Sequence, residues 1–274
     1  MRSKPTFFDS LRYRMTVSGR TEDFYRLQYE RMFRRHYSRK CDCLKVGDLL
    51  LPRLSHAEFP TREEAYYAME IGDILYPALF GSFRYVDEGP YEWEDVRIEE
   101  GDVVFDCGAN LGVFSLLAAY RGAEVYAFEP ISAARAELRK TLDLNPALKE
   151  RVHIVPAALS DCEGSAEFTV LDGTLVGSSM VLSQQGRKET ARLTTVDAFC
   201  EAEGVSTDFI KADIEGAERQ MMKGAVETLK RDAPKISICT YHFADDAAVL
   251  RGIIERANPA YRISEKWKKM YARV

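Results

Sequence analysis

A glycine-bearing loop between an apolar run and an apolar-periodic segment is the first feature of the sequence that could do chemistry. It reads FDCGANLG, from Phe105 to Gly112. Dinucleotide-binding loops read G-x-G-x-x-G, so that backbone amides can approach a pyrophosphate. Aligned on that pattern, this loop has Asp106, Gly108 and Leu111, one glycine of three. Because a carboxylate beside a helix N-terminus repels phosphate, the loop predicts a ligand with a cationic amine or sulfonium.

A second acidic residue, Glu129, lies 23 positions beyond Asp106, at the end of the next predicted strand. An acid in that place can accept hydrogen bonds from both hydroxyls of a ribose. The predicted ligand then combines a ribose with a cationic end and requires no phosphate, and S-adenosylmethionine fits this description. Taken alone, Glu129 fits a solvated charge at a strand end equally well.

Three further polar residues, Asp213, Glu215 and His242, could serve methyl transfer. This reaction is an in-line displacement at a sulfonium carbon, so the protein must align the nucleophile and, for an alcohol, remove its proton. We expect Asp213 to hold the cofactor amine or the substrate hydroxyl and Glu215 to orient the substrate. His242 is the predicted general base, with a pKa near its ordinary value of ~6.5. Helix capping by the two acids, a hydrogen-bonded rim histidine and divalent-metal ligation by all three stay open.

Alternating strand and helix patterns must position these residues. The predicted core strands are Val103–Asp106, Glu124–Glu129, Val152–Leu159, Asp208–Asp213 and Ile236–His242. Apolar residues at i, i+3, i+4 and i+7 predict helices after the first, second and fourth strands. This order indicates a parallel sheet covered on both faces, which binds ligands at the carboxyl ends of its strands. Asp106, Glu129, Asp213 and His242 should therefore gather on one rim.

Two alternating segments between Ser165 and Val196 flank a Gly/Ser stretch and predict an antiparallel insertion. Its tip, from Gly177 to Ser179, is a candidate lining of the acceptor pocket or a polar turn. A turn signal near Gly89 divides the chain, so residues 89–274 are the predicted cofactor-binding domain.

Residues 1–88 are predicted to be a mainly helical extension, a candidate lid or substrate-recognition region. Within residues 21–40, aromatic and methionine side chains share one helical face opposite Arg26, Arg31, Arg34 and Arg35. The arginine face fits either a solvated surface or a lid over an acidic substrate. A second helix is predicted at Thr61, because Thr61-x-x-Glu64 has capping-box spacing.

The composition limits the partners of the protein. The chain has 274 residues, 46% of them hydrophobic, and a net charge of −5, so neither nucleic acid nor an anionic membrane is an expected partner. We see no signal-peptide core or membrane-spanning run and expect a cytoplasmic protein. The six cysteines are expected to be reduced, and Cys41-x-Cys43 lacks the further ligands of a metal site. Whether the chain forms a homo-oligomer is left open.

Several runs together resemble the FkbM family of S-adenosylmethionine-dependent methyltransferases. They are GDVVFDCGANLGVFSLLAA, VYAFEP, VPAALSD, TVDAF, DFIKADIEGAE and ICTYH. The similarity covers residues 89–246. It implies a class I, Rossmann-like α/β fold: a doubly wound, mainly parallel sheet with an antiparallel insertion and the N-terminal extension.

The resemblance also implies cofactor-binding residues. Asp106, Gly108, Asn110 and Gly112 match the first methyltransferase motif, which holds the methionine part of the cofactor, and Glu129 matches the ribose-binding acid.

For the adenine, the resemblance implies contacts from the loop after the third strand. Ala157, Ala158 and Ser160 lie there, although an acidic anchor is missing unless Asp161 reaches the ring.

The sequence favours transfer of a methyl group to a hydroxyl oxygen of a small molecule of sugar or natural-product type. Three alternatives stay open: N-methylation of an amide or amine, a binding protein of the same fold without catalysis, and a hydride-transferring dehydrogenase.

Overall fold

A computed structural model of the protein describes residues 31–54, 67–170, 180 and 186–274. Its strands are β1 Tyr37–Ser38, β2 Cys43–Val46, β3 Leu49–Pro52, β4 Val103–Cys107, β5 Glu124–Phe128, β6 Val152–Val155, β7 Ala157–Leu159, β8 Gly164–Val170, β9 Arg187–Thr194, β10 Phe209–Ala212, β11 Lys235–Cys239, β12 Arg262–Lys266 and β13 Lys269–Arg273. Its α-helices are α1 Tyr76–Phe80, α2 Val113–Tyr120, α3 Ser132–Asp143, α4 Pro146–Lys149, α5 Val196–Glu203, α6 Glu218–Lys223, α7 Val226–Arg231 and α8 Asp246–Ala257. Residues 31–36 and 67–70 are also helical, and Ile71–Leu75 is a π-helical stretch before α1.

The central sheet has the strand order β12-β13-β11-β10-β4-β5-β6. From β11 to β6 all neighbours are parallel, whereas β13 runs antiparallel to β11 and to β12. The carboxyl ends of β4, β5, β10 and β11 consequently lie along one rim. This confirms the predicted doubly wound, mainly parallel sheet.

Helices cover both faces of the central sheet, because successive side chains of a buried strand point to opposite sides. Val104 belongs to the hydrophobic core beneath α2 and α3, and Phe105 belongs to the core formed with α5 to α8. The apolar strands Val103–Cys107 and Phe209–Ala212 are accordingly buried on both faces.

The N-terminal region contains a small antiparallel sheet in the order β1-β2-β3, so the prediction of a mainly helical extension is wrong over residues 37–52. Strands β2 and β3 are joined by the two residues Gly47 and Asp48, and Gly47 has φ +62°. Glycine at a two-residue connection is a hairpin signal, and the prediction of a mainly helical extension did not take it into account. Leu44 and Leu51 join the same core as α2. The boundary at residue 89 stays a prediction.

The predicted helix over residues 21–40 is helical at 31–36 and becomes a strand at Tyr37. Met32 is buried and Arg31, Arg34 and Arg35 are exposed, as the amphipathic pattern predicts. Arg26, the Thr61 capping box and the tip Gly177 to Ser179 lie outside the described residues.

The side chain of Asn145 connects the N-terminal sheet to the end of α3. Its Nδ2 donates to the Leu50 carbonyl at 2.6 Å, and its Oδ1 accepts from the Leu50 amide at 3.0 Å. Strand β3, which contains Leu50, is an edge strand of its sheet.

The predicted third strand Val152–Leu159 is wrong as a single element, because Pro156 separates β6 from β7. Proline has no amide hydrogen to donate to a ladder. Strand β6 stays in the central sheet, whereas β7 pairs in parallel with β9, and β9 pairs antiparallel with β8. The antiparallel insertion is thereby confirmed. The hairpin of β12 and β13 was not predicted.

Two cysteines depart from the expected reduced state. Cys41 and Cys43 form a disulfide, while Cys107, Cys162, Cys200 and Cys239 are unpaired.

Within the described parts of the chain, no helix is long and apolar enough to cross a membrane.

Candidate active site

The loop after β4 has the backbone of a tight strand-to-helix turn. Gly108, Asn110 and Gly112 all have positive φ, of +80°, +49° and +83°. A Cβ on Gly108 would lie 2.0 Å from the backbone oxygen of Asp213, and one on Gly112 would lie 2.1 Å from Leu138 Cδ1. Conformation favours glycine at both positions, and at Gly108 the contact with backbone also requires it.

Glu129 lies directly after β5, and its carboxylate is tied to the loop. Oε2 accepts from the Asn110 amide at 2.9 Å, and Oε1 accepts from the Ile131 amide at 2.8 Å. Each oxygen can accept a further hydrogen bond. Burial raises the pKa of Glu129 to about 7. The carboxylate is thus a fixed, two-oxygen acceptor on the rim.

Asp106 supports the loop from inside the fold. Its side chain is fully buried, accepts from Ser115 Oγ at 2.6 Å and pairs with Lys211 Nζ at 2.9 Å. The sequence predicts that the Asp106 carboxylate is open to a cationic ligand, whereas in the structure it is buried against Ser115 and Lys211.

The three residues predicted to lie near the adenine are in different surroundings, and Ala157 is fully buried in the core that contains Phe105. Ala158, in β7, packs in a small core with Ile131, the residue whose amide binds Glu129. Ser160 is buried, and its amide donates to Thr194 in β9. Ala158 thus shares a core with the residue that follows Pro130, and Ser160 is tied to the small sheet by its backbone.

Asp213 follows β10, and its carboxylate accepts hydrogen bonds from two tyrosine hydroxyls. Tyr91 Oη donates to Oδ2 at 2.8 Å, and Tyr241 Oη donates to Oδ1 at 3.2 Å. Burial acts to raise the pKa of Asp213, but the positive charges of Lys211 and Lys269 keep it below its ordinary value. This carboxyl is ionised at neutral pH.

His242 is held between two glutamates. Nε2 lies 3.4 Å from Glu215 Oε2, and Nδ1 lies 3.3 Å from Glu218 Oε1. The histidine side chain is 4% exposed, whereas that of Glu215 is 32% exposed. Burial acts to lower the pKa of His242, but contacts with Glu215 and Glu218 raise it to about 10. The predicted ordinary pKa is therefore wrong, and at neutral pH this residue is an imidazolium.

The backbone around Glu215 favours a functional role. Glu215 has φ +54°, a conformation that costs free energy for a residue other than glycine and is enriched at functional sites. Burial raises its pKa. A partly exposed carboxylate with a raised pKa can accept a proton.

Among the described residues, Asp213, Glu218 and His242 could hold a metal ion, since one ligand atom of each lies within 4.8 Å of the others. Both oxygens of Glu218 already accept backbone amides, from Ile214 at 2.8 Å and Gly216 at 3.0 Å. Both oxygens of Asp213 accept phenols. A metal would share these oxygens with their present partners, and His242 would first have to lose its proton, so we assign no ligand role.

The charge on His242 predicts a pH dependence of stability. Its pKa is raised in the folded protein, so its contribution is fully present below its unfolded pKa of ~6.5 and is lost as pH rises towards about 10. We expect the difference in urea-unfolding free energy between wild type and His242→Gln to shrink from pH 6 to pH 10. His153→Gln, a change at an exposed histidine on β6, is the control. A difference that is constant over this range contradicts the prediction.

Sequence reasoning missed several residues that contact the candidate site. Glu70, in the helical residues 67–70, accepts from Asn110 Nδ2 at 2.6 Å, and burial raises its pKa to about 7. Tyr91, Tyr241 and Lys211 were also missed. A signal existed for Lys211, because a lysine within an apolar strand must find a partner.

The profile of the methyltransferase FkbM domain matches residues 106–270, which include the loop, Glu129, Asp213 and His242. The chain belongs to the FkbM methyltransferase family. It is thus a methyltransferase, and its central sheet is that of the class I Rossmann-like methyltransferases.

Two characterised proteins are similar to this chain in sequence. The 31-O-demethyl-FK506 methyltransferase FkbM of Streptomyces tacrolimicus is 29% identical over 220 residues, covering 65% of this chain and 79% of that protein. The AMB antimetabolite synthetase AmbE of Pseudomonas aeruginosa is 33% identical over 112 residues, covering 39% of this chain and 5% of that protein.

The crystal structure of methyltransferase FkbM from Methylobacillus flagellatus shares the fold, with a TM-score of 0.51 and 20% identity. The match covers 65% of this chain and 44% of that chain, so this chain spans less than half of that solved FkbM methyltransferase.

Proposed function

We propose that this FkbM-family methyltransferase transfers a methyl group from S-adenosylmethionine to a hydroxyl oxygen of a small molecule of sugar or natural-product type. The observation that carries the proposal is the Glu129 carboxylate, fixed by the amides of Asn110 and Ile131. Two oxygens held in this way suit two neighbouring ribose hydroxyls. The relative from Streptomyces tacrolimicus, whose name is that of an O-methyltransferase, favours oxygen as the acceptor atom.

The charges of the rim fit the proposed cofactor. Glu129 would hold the ribose, and the loop Gly108 to Gly112 would lie against the methionine part. The ionised Asp213 and the half-buried Glu70 favour a cation at this edge of the sheet. When bound, S-adenosylmethionine supplies an electrophilic methyl group on a sulfonium sulfur.

We assign to Glu215 the role of general base, which takes the proton from the hydroxyl of the acceptor. Its carboxylate is 32% exposed and so can meet an acceptor hydroxyl, whereas His242 is enclosed. The His242 imidazolium, between Glu215 and Glu218, compensates the two negative charges and orients Glu215. This assignment replaces His242, the base favoured by the sequence, with its neighbour.

Calorimetry with S-adenosylhomocysteine tests the cofactor part of the proposal. We expect Glu129→Gln to weaken binding by about 10–100-fold, because a hydrogen bond to a charged acceptor contributes ~1.5–3 kcal/mol. Since burial raises the pKa of Glu129 to about 7, wild-type affinity should rise from pH 6 to pH 8, and the variant should lose most of that rise.

Glu124→Gln is the matched control. Glu124 is the first residue of β5, so it lies at the amino end of the strand whose carboxyl end leads to Glu129. Equal binding by both variants would exclude Glu129 from the cofactor site. Absence of binding to the unchanged protein would overturn the proposed function.

The acceptor atom can be identified by mass spectrometry of products from a panel of hydroxyl, amide and amine compounds. We expect O-methylated products. Exclusive methylation of nitrogen would replace the proposed function with N-methylation, and cofactor binding without product from any acceptor would favour a binding protein.

A further inference from the structure

A buried lysine lies behind the cofactor loop. Lys211, in the fully buried strand β10, has a side chain that is 5% exposed. Its Nζ pairs with Asp106 Oδ1 at 2.9 Å and donates to the carbonyls of Gly108 at 2.6 Å and Cys107 at 3.3 Å. These contacts match the three donors of an ammonium group. The buried charge is therefore fully used, and two of its partners are backbone atoms of the loop.

The lysine is part of a chain of contacts that fixes where the loop lies. Asp106 accepts from Ser115 Oγ in α2, so the carboxylate that pairs with Lys211 is also fixed to the helix after the loop. Gly108 packs against the backbone of Asp213, directly beyond the strand that carries Lys211. The ammonium thus joins β10, β4 and the start of the loop.

The same ammonium faces acids from four parts of the fold. Beyond Asp106 on β4, its charge acts on Asp213 after β10, on Glu129 after β5 and on Glu70 in the N-terminal region. Burial raises the pKa of Glu129 and of Glu70 to about 7, and the charge on Lys211 opposes that rise.

Other charged and titratable groups lie around this cluster. Cys239 on β11 faces Lys211, and the Tyr91 ring centroid lies 5.3 Å from Lys211 Nζ. Lys269 lies over the same ring, with Nζ 4.3 Å from the centroid. Arg135 faces Glu129 from α3. Among these, Lys211 is the cation bonded to the loop itself.

We propose that Lys211 is a positioning residue for the cofactor: it holds the carbonyls of Cys107 and Gly108 in place, and its charge faces the carboxyl groups of Glu129 and Glu70, without itself contacting the cofactor. This role rests on the proposed function. It differs from a purely structural role, because a structural loss would weaken binding equally at every pH.

The test is the affinity for S-adenosylhomocysteine, measured by calorimetry from pH 6 to pH 9.5, in wild type and Lys211→Met. Removing the charge should raise the pKa of Glu129 and of Glu70, because the charge on Lys211 opposes the rise that burial causes, so a smaller fraction of each acid is ionised at pH 7. We expect affinity about tenfold weaker at pH 7, with the gap falling below about threefold at pH 9.5. Lys235→Met, at a lysine of β11 that pairs with Asp102 at 2.9 Å, should match wild type.

Any of four results overturns this role. A loss in Lys211→Met that is the same at every pH identifies a structural residue, and an unchanged affinity identifies a dispensable one. If wild type does not bind S-adenosylhomocysteine, the proposed function fails and this role fails with it. If circular dichroism shows that Lys211→Met is unfolded, the pH profile of the affinity of Lys211→Arg tests the proposal in its place. The arginine retains the charge, so it should keep the wild-type pH profile, and a profile shifted to higher pH contradicts the proposal.

Discussion

Replacing Glu215 by glutamine is expected to lower kcat for methyl transfer by about 10²–10⁴-fold, the usual contribution of a general base. Affinity for S-adenosylhomocysteine should change little, because the groups assigned to the ribose and the methionine part are Glu129 and the loop Gly108 to Gly112, and Glu215 is not one of them. The reason for the loss is chemical: the amide of glutamine has the shape of the acid but cannot take the acceptor's proton. Single-turnover rates with a saturating acceptor measure the effect.

Glu94→Gln is the matched control for this experiment. Glu94 is an exposed glutamate with φ +52°, close to the +54° of Glu215. It should retain wild-type activity.

The assignment of the base to Glu215 rather than His242 has its own signature. With Glu215 as the base, the rate rises through the raised pKa of this acid and falls near pH 10, where His242 loses its charge. With His242 as the base, the rate would still be rising at pH 10. A rate that climbs in this way, together with a Glu215→Gln variant of nearly full activity, would return the role to His242.

Replacing Gly108 by alanine is expected to weaken binding of S-adenosylhomocysteine by about 100-fold or more. The new Cβ would lie 2.0 Å from the Asp213 backbone oxygen, so the loop and the end of β10 must separate. The positive φ of Gly108 adds a conformational cost of ~1–3 kcal/mol. Both effects act where the cofactor is proposed to bind.

Gly101→Ala separates the two effects. Gly101 has φ +89° and open space around its Cα, so alanine there meets the conformational cost without the collision. We expect a lower melting temperature and unchanged affinity. If Gly108→Ala binds S-adenosylhomocysteine as tightly as Gly101→Ala does, the close contact with Asp213 does not matter for the cofactor.

The sequence predicted the central sheet because β4, β5 and β10 are short, largely apolar and each followed by a recognisable helix. Strand ends in a parallel sheet share one edge, so the places of Glu129, Asp213 and His242 after neighbouring strands followed from topology alone, whereas the burial of Asp106 against Ser115 and Lys211 did not. The small sheet of β1 to β3 was missed because its strands have two to four residues, too few for a period to be read.

The chemistry of the site was harder to predict than its place. The partner of Asp213, Tyr91, is 122 residues away along the chain, and Glu70 reaches Asn110 from a region with no local motif. Periodicity carries no information on such contacts. Likewise, the pKa of His242 depends on Glu215 and Glu218 meeting it from another strand end, which no spacing in the sequence shows.

The bond between Asn145 and Leu50 has a consequence for how the protein behaves in a crowded solution. An exposed edge strand offers unpaired backbone groups that can recruit another chain and begin aggregation. The side-chain amide of Asn145 forms hydrogen bonds with both the backbone N–H and the backbone carbonyl of Leu50, as a fourth strand would at that position. One polar side chain at the end of a helix thereby blocks intermolecular strand pairing at the middle of β3.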